Sequence, residues 1–177
     1  MMTMVDSEGL DRVDTVTLLD GAVMLLRRLD AHDAKAVEAF HSDLTDRDRY
    51  WRFFVIHPGF LHTFASKLVE NNPTNYAIGA FEAGRLIGVA NYIRSNDPEV
   101  ADVAIAVAHE DHLRGVATAM LRHLGEVARS NGIRYFVADI LAENHALLNV
   151  LRDADWPYER ISTNTVLHIR VDLTDIR

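Results

Sequence analysis

The sequence predicts one α/β domain with a mixed, mostly antiparallel sheet flanked by helices. Its 177 residues suit a single domain with one core. Apolar residues repeat with a period of two in some segments and near 3.6 in others, which gives the order β-α-α-β-β-β-α-β-α-β. No repeat or linker divides the chain, so we expect one domain at 18–177. Residues 1–17 before it are expected to form a flexible leader.

In the first half of the chain, a strand, two helices and a hairpin are predicted in turn. The run VMLLRRL predicts a strand, and a capping aspartate, Asp30 or Asp33, then precedes apolar residues at helical spacing. Proline and glycine in HPGF and proline in NNPTN bound the second helix. The letters EAG join two apolar runs, as a hairpin turn does. The predicted ranges are a strand at 23–29, helices at 30–44 and 60–70, and a hairpin at 75–94.

In the second half, strands alternate with helices. The continuous small apolar run VADVAIAVA predicts a strand that is buried on both faces. A stripe of apolar residues before an Asn-Gly pair predicts a long amphipathic helix that ends at this pair. The predicted ranges are strands at 100–108, 133–141 and 162–173, and helices at 115–132 and 143–155. The sequence lacks the G-x-G-x-x-G turn of a dinucleotide fold and the P-loop of nucleoside triphosphate enzymes.

The composition excludes several classes of function. The net charge is −8, from 18 Lys and Arg against 26 Asp and Glu, so the protein repels phosphate backbones and nucleic acid is not an expected partner. No run reaches the roughly 18 apolar residues of a membrane span, and the N-terminus lacks the pattern of a secretory signal. The absence of cysteine excludes disulfides and thiolate chemistry and is typical of a reducing cytoplasm. We therefore expect a cytoplasmic protein without a membrane partner.

The junction between the strand at 100–108 and the helix at 115–132 is the strongest candidate site. A strand that turns abruptly into a helix directs the free amides of the first turn and the helix dipole at one point, which favours an anion. Gly115 permits a close approach of the backbone, and Arg114 can add a charge-assisted contact to a phosphate. One glycine is weak evidence, because Gly115 also fits a plain loop before an amphipathic helix.

The segment IAVAHEDHLRGVATAMLRHLGEVARSNGIRYFVADILAEN resembles the GNAT superfamily of acyl-CoA-dependent N-acyltransferases. Their pyrophosphate loop has the pattern Q/R-x-x-G-x-G/A. His112, Arg114, Gly115 and Ala117 fall on this pattern, with His112 where glutamine or arginine is usual. The stretches DRYWRFF and VADVAIAV are similar to the catalytic domain of Pat-type bacterial protein lysine acetyltransferases. The resemblance extends loosely from about residue 20 to the end and implies a single-domain GNAT fold.

The resemblance implies acetyl-CoA as the co-substrate and places it beside this junction. Ile105 and Ala106 would flank the pantetheine arm through main-chain hydrogen bonds, as an added strand does. The amide of Val107 would stabilise the negative thioester oxygen of the tetrahedral intermediate. The residues expected to bind the cofactor are Ile105, Ala106, Val107, His112, Leu113, Arg114, Gly115, Val116, Ala117, Thr118 and Asn144.

The resemblance also implies a general base on the central strand, where Asp102 occupies the position of the family's glutamate. A lysine acceptor has a reference pKa near 10.4, so removing its proton at pH 7 costs about 4.6 kcal/mol. A positioned carboxylate can take this proton, and the short aspartate favours a bridging water. Glu110 and His109 are reserve bases. Leu151 stands where many relatives have a tyrosine acid, so the CoA thiolate is expected to leave without help.

Three functions stay open for this site. The resemblance implies transfer to a protein lysine. A small amine, such as a polyamine, an amino acid or an aminoglycoside, is the first alternative acceptor, and a non-catalytic acyl-CoA-binding regulatory module is the second alternative. The resemblance also allows a homodimer. No metal is expected, because His109 and His112 in HEDH have no evident further ligand.

The aromatic segment DRYWRFF has two interpretations. Tyr50, Trp51, Phe53 and Phe54 are expected to pack between the early helices and the sheet. The alternative is that Tyr50 or Arg52 shapes the acceptor groove, as this segment does in GNAT proteins.

Overall fold

The computed structural model describes residues 12–55, 57–70, 72–161 and 164–176. These residues form one eight-stranded sheet in the order β1-β2-β3-β4-β5-β6-β8-β7, flanked by five helices. The strands are β1 (Asp14–Thr17), β2 (Val23–Arg28), β3 (Asn75–Glu82), β4 (Arg85–Arg94), β5 (Val100–Val107), β6 (Tyr135–Leu141), β7 (Glu159–Arg160) and β8 (Val166–Asp172). The helices are α1 (Ala34–Ser42), α2 (Asp46–Phe53), α3 (Leu61–Leu68), α4 (Val116–Ser130) and α5 (His145–Asp153). The predicted fold class is confirmed, because every strand pair except β5–β6 is antiparallel.

Three elements were not predicted. The strand β1 pairs antiparallel with β2 at the sheet edge, so the expected leader at 1–17 ends too late in the chain. Residues 1–11 of that leader lie outside the described residues, as do residues 162–163 of the last predicted strand. The helix α2 begins where the side chain of Thr45 accepts a hydrogen bond from the amide of Asp48 at 3.1 Å. The strand β7 has only two residues and pairs with β8.

The sheet has a hydrophobic core on each face. The larger core lies against α4 and α5 and includes Met120 and Phe136, and the smaller core lies against α1 and α3 and includes Val37 and Phe40. Side chains of β5 pack against both cores, but only Ala101 and Val107 are buried. Asp102 on the opposite face is exposed, so the predicted burial on both faces is wrong for the even-numbered face. None of the helices in the described ranges is long and apolar enough to cross a membrane.

The strands β5 and β6 diverge after a short contact. Along its whole length β5 pairs with β4, from Ala101 opposite Arg94 to Val107 opposite Gly88. With β6 it pairs only over residues 100–102, in the parallel direction. Beyond this point the side of β5 that faces β6 has no strand partner within the described part of the chain.

The register shows which groups of β5 face this gap. The amide of Ala108 donates to the carbonyl of Ile87 at 2.9 Å, and the amide of Ser95 donates to the carbonyl of Val100 at 2.8 Å. Because hydrogen-bonded residues alternate in an antiparallel pair, the even-numbered residues of β5 bond to β4. The odd-numbered residues beyond the contact with β6 direct their amides and carbonyls into the gap, and these are Val103, Ile105 and Val107.

A buried histidine makes stability depend on pH. The ring of His41 packs against Phe40, Phe53 and Phe64, and its Nδ1–H donates to the carbonyl of Val37 at 2.8 Å. Burial lowers the pKa of His41 to about 4. The unfolded chain, with an ordinary histidine pKa near 6.5, therefore binds this proton first as the pH falls. The resulting stability is complete above about pH 6.5 and is lost as the pH falls towards 4.

We expect this titration to remove about 2 kcal/mol of unfolding free energy between about pH 7.5 and pH 5. Urea unfolding at both pH values measures the loss. In His41→Leu the difference between the two pH values should shrink by this amount, whereas replacing the exposed His57 by alanine should leave it as in the parent protein. An equal pH dependence in His41→Leu and the parent protein would contradict the assignment.

Candidate active site

The N-terminus of α4 presents main-chain amides that the protein does not cap. No side chain of the described residues caps this helix, whose first helical bond runs from the amide of Ala119 to the carbonyl of Gly115 at 3.1 Å. The amides of Val116, Ala117 and Thr118 precede that bond and have no helical partner. Gly115 has a φ of 89°, in the left-handed region that only glycine adopts without strain. The helix dipole and these amides together make an anion site.

A cleft of about 490 Å³ opens beside these amides. Its walls are α2, the end of β5, the short 3-10 turn at His109–Asp111, the first turn of α4 and the start of α5. The cleft volume lies within the usual range of small-molecule sites. The structure thus brings the predicted residues Ile105, Ala106, Val107, His112, Leu113, Ala117 and Asn144 to one cleft.

The side chain of Arg114 does not extend into this cleft as a free charge. Its guanidinium donates to Asp20 at 2.7 Å, to Glu82 at 2.6 Å and to Asp111 at 2.6 Å. These carboxylates raise the pKa of Arg114, and Arg114 lowers the pKa of the Asp20 and Glu82 carboxyls. These contacts form an ionic cluster that fixes the loop to β3 and to the turn after β1, and the contact of Arg114 with a phosphate stays a prediction.

Two other predicted cofactor residues have structural partners. The Nε2–H of His112 donates to the carbonyl of Val107 at 3.0 Å and so connects the loop to the end of β5. The side-chain oxygen of Asn144 accepts a hydrogen bond from the amide of Leu147 at 3.1 Å and caps α5. Leu113 has a φ of 63° and is 95% exposed, at the rim of the loop.

The alternation along β5 separates the roles of its residues. The amides of Ile105 and Val107 face the gap, so both are free of β4 and available for the predicted main-chain hydrogen bonds to the cofactor. The predicted main-chain contact of Ala106 is not available, because its amide and carbonyl bond to β4 opposite Val89. Ala106 therefore offers only its methyl group to the cleft.

Asp102 lies where β5 and β6 part, and its side chain is exposed there. Partial burial raises the pKa of Asp102, and the charge of Asp139 raises it further. On an extended strand Asp102 is about 16 Å from Val107 and about 10 Å from Ile105, at roughly 3.3 Å per residue. Asp102 and the amide of Val107 therefore do not contact the same small group, and Asp102 lies nearer to Ile105.

The helix α2 contributes side chains to the cleft that its aromatic content did not predict. Trp51 and Arg52 line it, while Phe53 packs against Phe60 and Phe64. Tyr50 is 37% exposed and therefore does not pack in the core. It also does not line the cleft. The packing interpretation is right for Phe53 and wrong for the exposed Tyr50 and Phe54, and a role of Arg52 in an acceptor groove stays a prediction. Burial lowers the pKa of Arg52 to about 10.

Asp48 is a cleft residue that the sequence did not reveal. It is 7% exposed and its Oδ2 has no hydrogen-bond partner among the described residues. Its nearest basic groups are Nδ1 of His109 at 3.6 Å and Nε2 of His112 at 3.9 Å. No local pattern could have joined them, because Asp48 lies on a different element, about 60 residues earlier in the chain.

Comparisons with known proteins agree with this geometry. A family model for the acetyltransferase (GNAT) domain matches residues 24–156. The solved GNAT domain of S. lividans PAT is 27% identical and superposes with a TM-score of 0.83, over 90% of this chain and 96% of that chain. Two more solved structures share the fold at lower identity. Salmonella typhimurium yncA with its cofactor acetyl-CoA is 14% identical, with a TM-score of 0.70 over 86% of this chain and 95% of that one. The cAMP-binding acyltransferase from Mycobacterium smegmatis is 19% identical, with a TM-score of 0.64, and this chain spans 49% of it.

The match covers the junction, the cleft and most of the sheet. The resemblance to GNAT proteins, including the likeness to a Pat catalytic domain, is confirmed. This fold supports acetyl transfer from acetyl-CoA to an amine. The chain belongs to the GNAT acetyltransferase family.

Proposed function

We propose that this protein transfers the acetyl group of acetyl-CoA directly to a primary amine, with a protein lysine side chain as the acceptor. The observation that carries the proposal is the N-terminus of α4, which no described side chain caps. It opens onto a cleft where Ile105 and Val107 of β5 have no strand partner on the side of β6 within the described residues. A cytoplasmic location is part of the proposal and rests on the cysteine-free composition.

The cofactor would lie along main-chain groups. Its diphosphate would accept hydrogen bonds from the amides of residues 115–118, where the helix dipole favours negative charge. The pantetheine arm would then follow β5 as an added strand and bond to its odd-numbered residues. The thioester oxygen would accept from the amide of Ile105 or Val107, and this bond strengthens as the oxygen becomes negative.

The reaction requires a neutral amine beside the thioester. Asp102 would take a proton from the acceptor ammonium through water, and partial burial raises its pKa towards a value that suits a base. The nitrogen then attacks the thioester carbon, the C–N bond forms, and the C–S bond breaks to release CoA thiolate. The second proton of the nitrogen passes through solvent to this thiolate, which leaves a neutral amide and CoA thiol. Leu151 is 4% exposed within the core and supplies no proton to the thiolate. If the amide of Val107 holds the thioester, His109 is a nearer base than Asp102, because Val107 and His109 line the same end of the cleft.

A protein lysine as acceptor is supported by the 27% identity to the GNAT domain of S. lividans PAT. The net charge of −8 attracts cationic acceptors of any size. One observation favours a second candidate, an amino acid acceptor. The guanidinium of Arg52 lies over the rings of Phe53 and Phe64 at the cleft and forms no ion pair within the described residues. It could pair with an acceptor carboxylate.

A thiol-release assay with acetyl-CoA tests the proposal. Lysine-containing proteins and peptides should release CoA thiol and gain one acetyl group on the lysine nitrogen by mass spectrometry. Polyamines, amino acids and aminoglycosides form the comparison panel. Release with amino acids alone would replace lysine by the second candidate. CoA binding by calorimetry without release on any amine would contradict catalysis and leave a binding module.

A further inference from the structure

Three potential metal ligands meet at the wall of the cleft. Asp48 comes from α2. His109 begins the 3-10 turn that follows β5, and His112 comes directly after this turn. One ligand atom from each of the three lies within 4.8 Å of the others. The Oδ2 of Asp48 is 3.6 Å from Nδ1 of His109 and 3.9 Å from Nε2 of His112. HEDH supplied two of these groups, and the fold adds the third.

The carboxylate of Asp48 gives independent support for a cation at this place. Its Oδ2 is buried without a hydrogen-bond partner in the part of the chain that the structure describes, and both imidazoles lie beyond hydrogen-bond distance. A buried carboxylate oxygen without a partner is costly unless a positive group compensates it. Arg52, one turn further along α2, does not compensate it, because the described contacts of its guanidinium are with Asn91 and two phenylalanine rings.

The donor set fits a transition metal. Zinc binds histidine nitrogen and carboxylate oxygen at about 2.0–2.2 Å, so neighbouring ligands in a tetrahedral site lie about 3.4 Å apart. The two measured separations from Asp48 are only slightly larger, and His109 is 67% exposed and free to adjust. We propose that Asp48, His109 and His112 bind one divalent transition-metal ion, best Zn²⁺, with water in the remaining position.

Binding would change the contacts of His112. In the structure its Nε2–H donates to the carbonyl of Val107, and in the metal complex the Nε2 lone pair would bind the ion instead. The ion would lie on the cleft wall at the end of β5, beside the proposed thioester site. The binding itself does not depend on acyl transfer.

Metal titration of the chelator-treated protein tests the site. Zn²⁺ calorimetry should give one equivalent, and Co²⁺ should give the visible absorption of a tetrahedral complex. Asp48→Asn and His109→Ala should each weaken Zn²⁺ binding by at least ~100-fold, because each removes a direct ligand rather than a supporting contact. Two control variants should keep the affinity of the parent protein. His62→Ala removes an exposed histidine that contacts Glu38, and Glu110→Gln removes a carboxylate from the same turn.

Two ligand variants are used because one of them could lose affinity simply by misfolding. Asp48 lies near the start of α2, so its replacement can affect that helix, but His109 is exposed and its removal should leave the melting temperature unchanged. Unchanged affinity in a folded His109→Ala protein would overturn the proposal. Equal loss of affinity in His62→Ala or Glu110→Gln would also overturn it, because the binding would then be nonspecific.

Discussion

Replacing Ala117 by glutamate should weaken CoA binding by at least ~100-fold and leave the melting temperature unchanged or slightly higher. Ala117 lies in the first turn of α4 and lines the cleft. A carboxylate there interacts favourably with the helix dipole by about 0.3–1 kcal/mol. The same carboxylate takes the amides that a diphosphate would use and repels its charge. Stability and binding should therefore change in opposite directions, which a plain loss of folding does not produce.

Calorimetric titration with CoA and a thermal melt measure the two effects. The control is Arg122→Ala, which lowers the net charge by the same one unit on the exposed side of α4. This control should bind CoA as the parent protein does, so a general charge effect is separated from the local one. CoA affinity that survives Ala117→Glu would show that the diphosphate is bound elsewhere.

Elements with strong periodicity were predictable from the sequence. The helix α4 and the β3–β4 hairpin each have enough residues to display their period. The continuous apolar run of β5 predicted the strand correctly but not its exposure, because Asp102 on the even-numbered face is exposed. The helix α2 has eight residues, and charged groups interrupt any apolar stripe, so its period is not visible. The strand β1 depends on pairing with β2, which no local signal indicates.

The direction of the amides at the candidate site was also predictable, because the amides of the first turn of a helix point out from its N-terminus. The side-chain part was not. Arg114 is held by Asp20 and Glu82, which are distant in sequence. The loop alone therefore could not show that the guanidinium of Arg114 is already paired with carboxylates. The position of Ala106 depends on the register with β4, since a shift by one residue exchanges the groups that face the gap.

Replacing Asp102 by asparagine should lower kcat by at least ~10²-fold and leave CoA affinity unchanged. The loss is that expected for a missing general base, and asparagine keeps the size and polarity of the side chain. Asp102 is exposed and outside the group of residues that line the large cleft, so neither folding nor cofactor binding should suffer. Single-turnover thiol release and calorimetric CoA titration on the same preparation separate the two quantities.

The pH dependence identifies which base acts. If Asp102 is the base, kcat/KM rises through its pKa on the acid side, and this pKa is raised by partial burial and by Asp139. Asp139→Asn removes the neighbouring negative charge, so the pKa of Asp102 falls. The acid limb of the profile, which is the rise of kcat/KM with pH, then moves to lower pH. His109→Ala should leave the limb in place. If Asp139→Asn leaves the limb unmoved and His109→Ala abolishes it, the proton goes to His109, and the thioester is then held by the amide of Val107 rather than that of Ile105.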